Sequence, residues 1–580
     1  MPIQSWVHHW DVGAGKKVLR ILVALLGFIA LASLYDLFSY ESYSSDEAME
    51  VAQLARNVAE GRGYTTDSIR PLALYYLQAA AAPGQSSKAL AQRVPDMSNP
   101  PVYPLLLAGL MKVLPFHFAA NQYWTYEPEL WISIFNQVLF FASVVVLFFL
   151  AKKLFDRQVA WLTAILFAGT ELFWKFSISG LSTIWVILVF LVMVSCMAVI
   201  ERRERGAPEE AAGKSAPWAI ATGLLAGVGT LSRYSFAWLM LPLLIYISTS
   251  LRRARFKLSS LIVVSFLVVV GPWVARNLSV SGHCFGTADT AMFQGTPPFP
   301  GDTFERSSNP RGRLHKLAPA DIANKFVVNA QAMLGNEMPR LGGNWIIALF
   351  LAGLFIAFRN PALARLRWFA VGSLILLFFA QAVERTHVSS DNPDVNTENL
   401  LVITVPLLFM FGAALFYTFL EQLNLSLPEL RGALVTCFVI LLCAPYLLAL
   451  TVPRGGAIDS PYGPSHINQF AGYTRTNDLM MSDIPSAVAW YGERSCVWLS
   501  LDDESEFFKV NSLKRVRNLF LTQMTTNKRF LSEMKEDPKS WANFVLDCAE
   551  HQEVPTGFPL KKAPIGLLPE QMFLSDTAGW

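Results

Sequence analysis

Almost uncharged apolar runs of about 16–24 residues recur along the chain, each long enough to cross a hydrocarbon core of about 30 Å. Such runs leave few folds open. In lipid the backbone must satisfy its polar groups within the segment, so the crossing unit is a helix. Composition agrees: 53% of the 580 residues are hydrophobic and 16% are charged, against about 25% charged in soluble chains. That charge is too little to cover several soluble globules. A net charge of +3 gives no basic footprint for nucleic acid. The expectation is a polytopic α-helical membrane protein with lipid around it and no nucleic-acid partner.

About eleven spans follow from the hydropathy pattern, near 19–38, 130–151, 157–175, 181–200, 216–232, 235–250, 257–275, 343–358, 368–383, 399–420 and 431–451. Basic residues collect in short alternate loops: Lys16, Lys17 and Arg20, then Lys152, Lys153 and Arg157, then Arg252, Arg253 and Arg255, then Arg359, Arg365 and Arg367. The positive-inside rule puts those loops in the cytoplasm, the N-terminus inside and the C-terminus outside, with the first span uncleaved. The stretch 102–116 is apolar but short, and it carries Pro104, Lys112 and Pro115. A crossing there would turn every later basic loop outward, so it is expected to be a juxtamembrane helix at the outer surface.

Three large segments then lie outside, at 39–129, 276–342 and 452–580. Recognition or chemistry is expected there, in loops held by a rigid scaffold. The chain divides into a transmembrane domain, 1–451, and an extracytoplasmic domain, 452–580. In the latter, Ile484 to Tyr491 reads as a short helix, Cys496 to Leu501 and Val516 to Leu521 as strands, and 528–549 as helix-rich, which makes a small α/β domain. Asp502, Asp503 and Glu504 read as a helix start. Cys496 and Cys548 could close a disulfide in an oxidising compartment.

The first outer loop opens Ser44-Ser45-Asp46-Glu47 and continues with Val51, Leu54, Ala55 and Val58 at helical spacing until Gly61 and Gly63. This predicts an amphipathic helix along the membrane surface, ended by glycine. Asp46 stands at its start, where a carboxylate could take a proton from a hydroxyl or amine. The plainer reading is structural, because Ser44 and Glu47 have capping-box spacing and acids suit a helix's first turn.

The order Asp46-Glu47, Ala55-Arg56-Asn57, Glu60-Gly61-Arg62-Gly63-Tyr64 and Asn99-Pro100-Pro101-Val102-Tyr103-Pro104 resembles the GT-C class of integral-membrane glycosyltransferases, which includes the protein O-mannosyltransferases and the aminoarabinose transferase of lipid A. Ala151-Lys152-Lys153-Leu154-Phe155, the glycines from Gly223 to Arg233-Tyr234, and Pro272-Trp273 to Arg276-Asn277 extend the resemblance over roughly residues 20–450. It implies an inverting transfer of a hexose or pentose from a polyprenyl-phosphate sugar donor to a glycan, lipid or protein acceptor outside the cytoplasmic (inner) membrane. Asp46 would be the general base, with Glu47 and Glu171 as further acids. Arg233, Arg276 and, more weakly, Arg56 would meet the donor phosphate. Tyr64, Asn99 and Tyr103 would line the donor or acceptor groove. The plain alternatives are snorkelling arginines, a solvated Arg56 and a proline-led helix start. Trp124, Tyr126 and Trp131 read as an interfacial aromatic belt.

Three departures stand out. Many relatives carry an acid after a Ser-Gly-x-Ser turn, whereas Ser179-Gly180-Leu181-Ser182 is followed by Thr183. Glu171 could substitute, or simply pair with Lys175 one turn on. Asn99 stands where histidine is frequent, and 385–399 lacks an Arg-Tyr pair. These leave a divalent metal unassigned and keep two alternatives: a non-catalytic partner in envelope assembly, and a carrier for a lipid-linked substrate.

Overall fold

The structure is a computed structural model that describes residues 14–80, 93–118, 126–206, 211–251, 254–343, 345–356, 358, 360–423, 427–452, 462–502, 504–526, 540–551, 553–562 and 571–576. Trp124, Arg252, Arg253, Arg359, Asp503 and 527–539 lie outside them.

Helix α1 (Ala14–Ser39) leads into the loop 39–129, expected to be the first outer loop, which contains α2 (Asp46–Ala59), β1 (Thr65–Thr66), β2 (Ser68–Ile69), α3 (Pro71–Ala80), β3 (Val94–Pro95) and α4 (Val102–Val113). The bundle continues with α5 (Glu127–Leu154), α6 (Arg157–Ala168), α7 (Glu171–Ile178), α8 (Thr183–Gly206), α9 (Ala211–Thr230), α10 (Met240–Ser250) and α11 (Arg255–Ser281). After the second outer loop, which includes α12 (Pro319–Ala332), come α13 (Trp345–Gly353), α14 (Pro361–Glu384), α15 (Val405–Gln422) and α16 (Pro428–Ala449).

Among the described residues, seven helices are long and apolar enough to cross a membrane: α1, α5, α8, α11, α14, α15 and α16. An eighth crossing results if α6 and α7, bent by 53°, count as one. The expected count of about eleven is therefore not reached by length and composition. The expected segments at 216–232, 235–250 and 343–358 are helical in α9, in a 3-10 turn with α10, and in α13, but α13 has only 9 residues. Helix α9 is instead built for close contact. A Cβ on Gly223 would lie 2.3 Å from the Ile262 carbonyl oxygen of α11, and one on Gly227 2.7 Å from Val269 Cβ, the small-residue packing of membrane helices. Helix α4 has 12 residues, too few to cross, as its prolines predict.

Helix α2 is covered on both sides. Its apolar Ala48, Met49, Ala52, Leu54 and Ala55 are buried, and so are Glu50, Gln53, Arg56 and Asn57, because α4 packs on one side and the C-terminal segment on the other. One sequence expectation needs correction: there is no Ser44–Glu47 capping box, since the N-cap is Ser45 and its side chain makes no capping bond.

The C-terminal segment contains α17 (Pro464–Gly472), β4 (Leu479–Ser482), α18 (Pro485–Tyr491), β5 (Cys496–Trp498), α19 (Ser505–Leu513), β6 (Val516–Leu521), α20 (Trp541–Glu550), β7 (Lys561–Lys562) and β8 (Met572–Ser575). Its sheet runs β2-β5-β4-β6-β8-β7, the first four strands parallel. Edge strand β2 comes from the first outer loop, with Ser68 opposite Cys496 and Ile69 opposite Val497. The sheet therefore crosses the division at 451/452. Asp502 Oδ1 accepts from Glu506 N at 2.8 Å and starts α19. Cys496 and Cys548 are both buried and are not joined by a disulfide.

Candidate active site

Asp46 opens α2, partly exposed, with its first-turn neighbour Glu47. The two acids turn to different partners. Glu47 accepts from the backbone N–H of Thr397 at 3.2 Å and from the Thr397 hydroxyl, which draws the 385–399 loop over the start of α2. Burial pushes the Glu47 carboxyl up, against the Thr397 bonds and Arg233, with Glu398 adding to the rise. Glu398 is itself held by the N–H and hydroxyl groups of Thr386 and Ser389.

Arg233 follows α9 and is 6% exposed. Its Nη2 donates to Thr183 Oγ1 at 2.7 Å, while Nε and Nη1 are buried without a hydrogen-bond partner. Burial lowers its pKa to about 10, opposed by the charge of Glu47. A buried guanidinium with two idle donors is costly unless an anion meets it.

Arg276 makes a different contact. Its Nη1 donates to the Asp96 carbonyl at 2.6 Å and to Asn277 Oδ1 at 2.9 Å, and the guanidinium lies over Trp273 and Tyr64, 4.8 and 5.6 Å from the ring centres. Asp96 ties the turn before α4 by accepting from the N–H groups of Ser98 and Asn99. Tyr64, left beyond Gly63 (φ +76°), donates its hydroxyl to the Asn99 carbonyl at 3.0 Å. Arg276, Tyr64 and Asn99, read separately from sequence, thus form one cluster.

Glu50 lies one turn after Asp46 on the same face of α2. Arg70 Nη2 donates to Glu50 at 2.9 Å and Arg70 Nε to Glu305 at 3.0 Å, which links α2 to the second outer loop. Burial raises Glu50 to about 7, moderated by Arg70 and assisted by Glu305 and Asp46. Glu305, although partly buried, is held below the usual carboxyl range chiefly by Arg70.

Three expected site residues stand elsewhere. The Arg56 guanidinium donates to the backbone carbonyls of Ala489 and Trp490, so it fastens the C-terminal segment. Tyr103 is buried and donates to Asn136 Oδ1 at 3.0 Å, inside the α4–α5 packing. Glu171 pairs with Lys175 at 3.8 Å, the plainer of its two readings. Tyr126 is buried against Trp490 and Tyr491, not set in a membrane belt. Sequence reasoning missed Glu129, Glu50, Asp96 and Glu398, whose partners are distant or loop-borne. Among the described residues no group of three His, Cys, Asp or Glu side chains gathers as a metal site.

The family model described as dolichyl-phosphate-mannose-protein mannosyltransferase matches residues 98–275. This stretch contains Asn99, Tyr103, Glu171, Thr183 and Arg233 but not Asp46. No curated protein sequence matches the chain. Among solved structures it is similar to ArnT from Cupriavidus metallidurans bound to undecaprenyl phosphate, with a TM-score of 0.56 and 12% identity over 97% of this chain and 98% of that one. It is also similar to the oligosaccharyltransferase AglB from Archaeoglobus fulgidus in complex with an inhibitory peptide and a dolichol-phosphate, with a TM-score of 0.52 and 11% identity over 89% and 71%. A second structure of the Archaeoglobus enzyme, tethered to an acceptor peptide containing the NVT sequon, gives a TM-score of 0.52 and 13% identity over 87% and 70%. At such identities the likeness is one of fold, the GT-C type expected from the sequence, and the family match covers residues 98–275.

Proposed function

We propose that the chain transfers a sugar from a polyprenyl-phosphate carrier to an acceptor at the outer face of the cytoplasmic membrane, in one inverting displacement. The observation that carries this reading is Arg233, a buried guanidinium with two idle donors beside Glu47 at the start of the Asp46 helix. An acceptor hydroxyl or amine attacks the anomeric carbon and loses its proton to Asp46. The bond from that carbon to the phosphate oxygen breaks, and polyprenyl phosphate leaves as an anion toward Arg233, with Arg276 bracing the groove at Tyr64 and Asn99. Glu47 keeps the 385–399 loop in place. ArnT with undecaprenyl phosphate and AglB with dolichol-phosphate support a lipid-phosphate donor by likeness of fold.

The test compares wild type with Asp46→Asn in detergent, supplying a panel of polyprenyl-phosphate sugars and a mixed acceptor extract and measuring free polyprenyl phosphate. Loss of a general base costs on the order of 100-fold or more. Equal turnover in both proteins moves the base elsewhere. Repeating the assay with EDTA reads metal dependence. No turnover by folded wild type with any donor transfers the weight to a carrier or a non-catalytic assembly partner.

A further inference from the structure

One short helix of the C-terminal segment grips α2 along its length. Just ahead of α2, Glu129 in the first turn of α5 is fully buried. It accepts from Tyr43 N at 3.1 Å, Trp490 Nε1 at 2.9 Å and the Tyr491 hydroxyl at 2.6 Å. A carboxylate offers acceptors only, and here its donors come from two distant parts of the chain. Midway along α2, Ser486 Oγ lies 3.5 Å from Glu50 Oε1. At the far end, Arg56 donates to the carbonyls of Trp490 and Ala489 at 3.0 and 2.6 Å, with its guanidinium over the rings of Phe118 and Trp490. Every residue of α18 is buried.

This grip matters because of where Asp46 stands. The first turn of a helix has no intrahelical partners for its N–H groups and frays easily. Ser45, the N-cap, makes no side-chain capping bond. The start of α2 is fixed instead three residues earlier, at the Tyr43 N–H held by Glu129. We infer that Glu129 and Arg56 are positioning residues for Asp46, acting through α18 so that the C-terminal segment holds the base in reacting geometry. The inference rests on the reading of Asp46 as the base.

The test uses the full-length protein as wild type, Glu129→Gln, Tyr491→Phe and Arg56→Lys, well below their unfolding temperatures. Glutamine sets an N–H₂ against existing donors, whereas Tyr491→Phe removes only the hydroxyl that reaches Glu129 and, at 3.3 Å, the Tyr43 carbonyl. Hydrogen exchange over residues 43–50 should quicken in Glu129→Gln and, less, in Tyr491→Phe. In the polyprenyl-phosphate release assay, kcat should fall by roughly 10- to 100-fold at unchanged donor KM, the scale of a displacement of about 1 Å. A purely structural role would lower the unfolding temperature and leave kcat intact at low temperature. Unchanged exchange, or kcat within about twofold of wild type in Glu129→Gln, overturns the inference. If Glu129→Gln does not fold, Tyr491→Phe decides by the same readings. Absence of wild-type turnover overturns the functional reading instead, while exchange still reports on the clamp.

Discussion

The guanidinium of Arg233 donates from Nη2 to the hydroxyl of Thr183 at 2.7 Å, across from the end of α9 to the start of α8. Threonine satisfies one donor without neutralising the charge. Thr183→Glu would place a carboxylate at that contact, and a charge-assisted hydrogen bond is worth about 1.5–3 kcal/mol. An anionic donor would then compete with a resident carboxylate. The expected result is a rise of about 10- to 100-fold in donor KM, at 1.4 kcal/mol per tenfold, with Thr183→Ser close to wild type. Steady-state polyprenyl-phosphate release from the three proteins checks it, and an unchanged KM in Thr183→Glu would show that the donor does not engage Arg233.

Arg70 stands between the buried Glu50 and the partly buried Glu305, 2.9 Å from the first and 3.0 Å from the second. Removing one member of a buried ionic cluster leaves uncompensated charge and costs about 3–5 kcal/mol. Arg70→Leu should therefore be strongly destabilised, whereas the triple variant with Glu50→Gln and Glu305→Gln should recover much of the loss. Chemical unfolding of the three proteins in one detergent tests this. Equal instability of the single and triple variants would mean that Arg70 acts through packing alone.

The same cluster sets a pH dependence. Glu50 is raised from an ordinary 4.5 to about 7, burial being the main cause. Between those values the unfolded chain has released the proton while the folded chain keeps it, so the folded state binds more protons and loses stability as pH rises. This part of the stability is fully present below pH 4.5 and is lost by about pH 7. Glu50→Gln removes it. The unfolding temperature of wild type, relative to Glu50→Gln, should fall as pH rises from about 4.5 to about 7, and a constant difference across that window would refute the assignment.

What the sequence disclosed and what it hid divide along one physical line, the reach of the interaction. Gly61 and Gly63 end α2 with φ of +76° at both, because a left-handed residue after a helix is a local event. Helix α4, with 12 residues, is too short to cross, and the shortness of the stretch 102–116 with its Pro104, Lys112 and Pro115 is a local feature. Arg56 looked like part of a solvated face because its partners, Ala489 and Trp490, lie more than four hundred residues away. Glu129 was passed over for the same reason, its partners Trp490 and Tyr491 lying more than three hundred residues away. Strand β2 is 2 residues long, too short for any periodicity, so its place in the C-terminal sheet left no trace in the sequence. Of the candidate site, the Asp46-Glu47 pair, Arg233 and Arg276 were picked out through pattern, and the Glu50–Arg70–Glu305 bridge was not, because Glu50 lies on α2, Arg70 just before α3 and Glu305 more than two hundred residues further on.

Gly180 provides the sharpest test of the packing around the start of α2. Its φ is +75°, and a Cβ there would lie 2.4 Å from Cζ of Tyr43, the residue whose N–H is held by Glu129. Two separable costs follow from Gly180→Ala. The left-handed backbone costs a residue with a Cβ about 1–2 kcal/mol, and overpacking against the buried ring adds about 1–3 kcal/mol. Shortening the ring separates them. In a Tyr43→Leu background the same Gly180→Ala change should cost only the backbone part, so a double-mutant cycle should return a coupling of about 1–3 kcal/mol. Unfolding measurements on the four proteins give that coupling directly. A coupling near zero would mean that the Tyr43 ring swings away without resistance, and the chain entering α2 would then be free to move just ahead of Asp46.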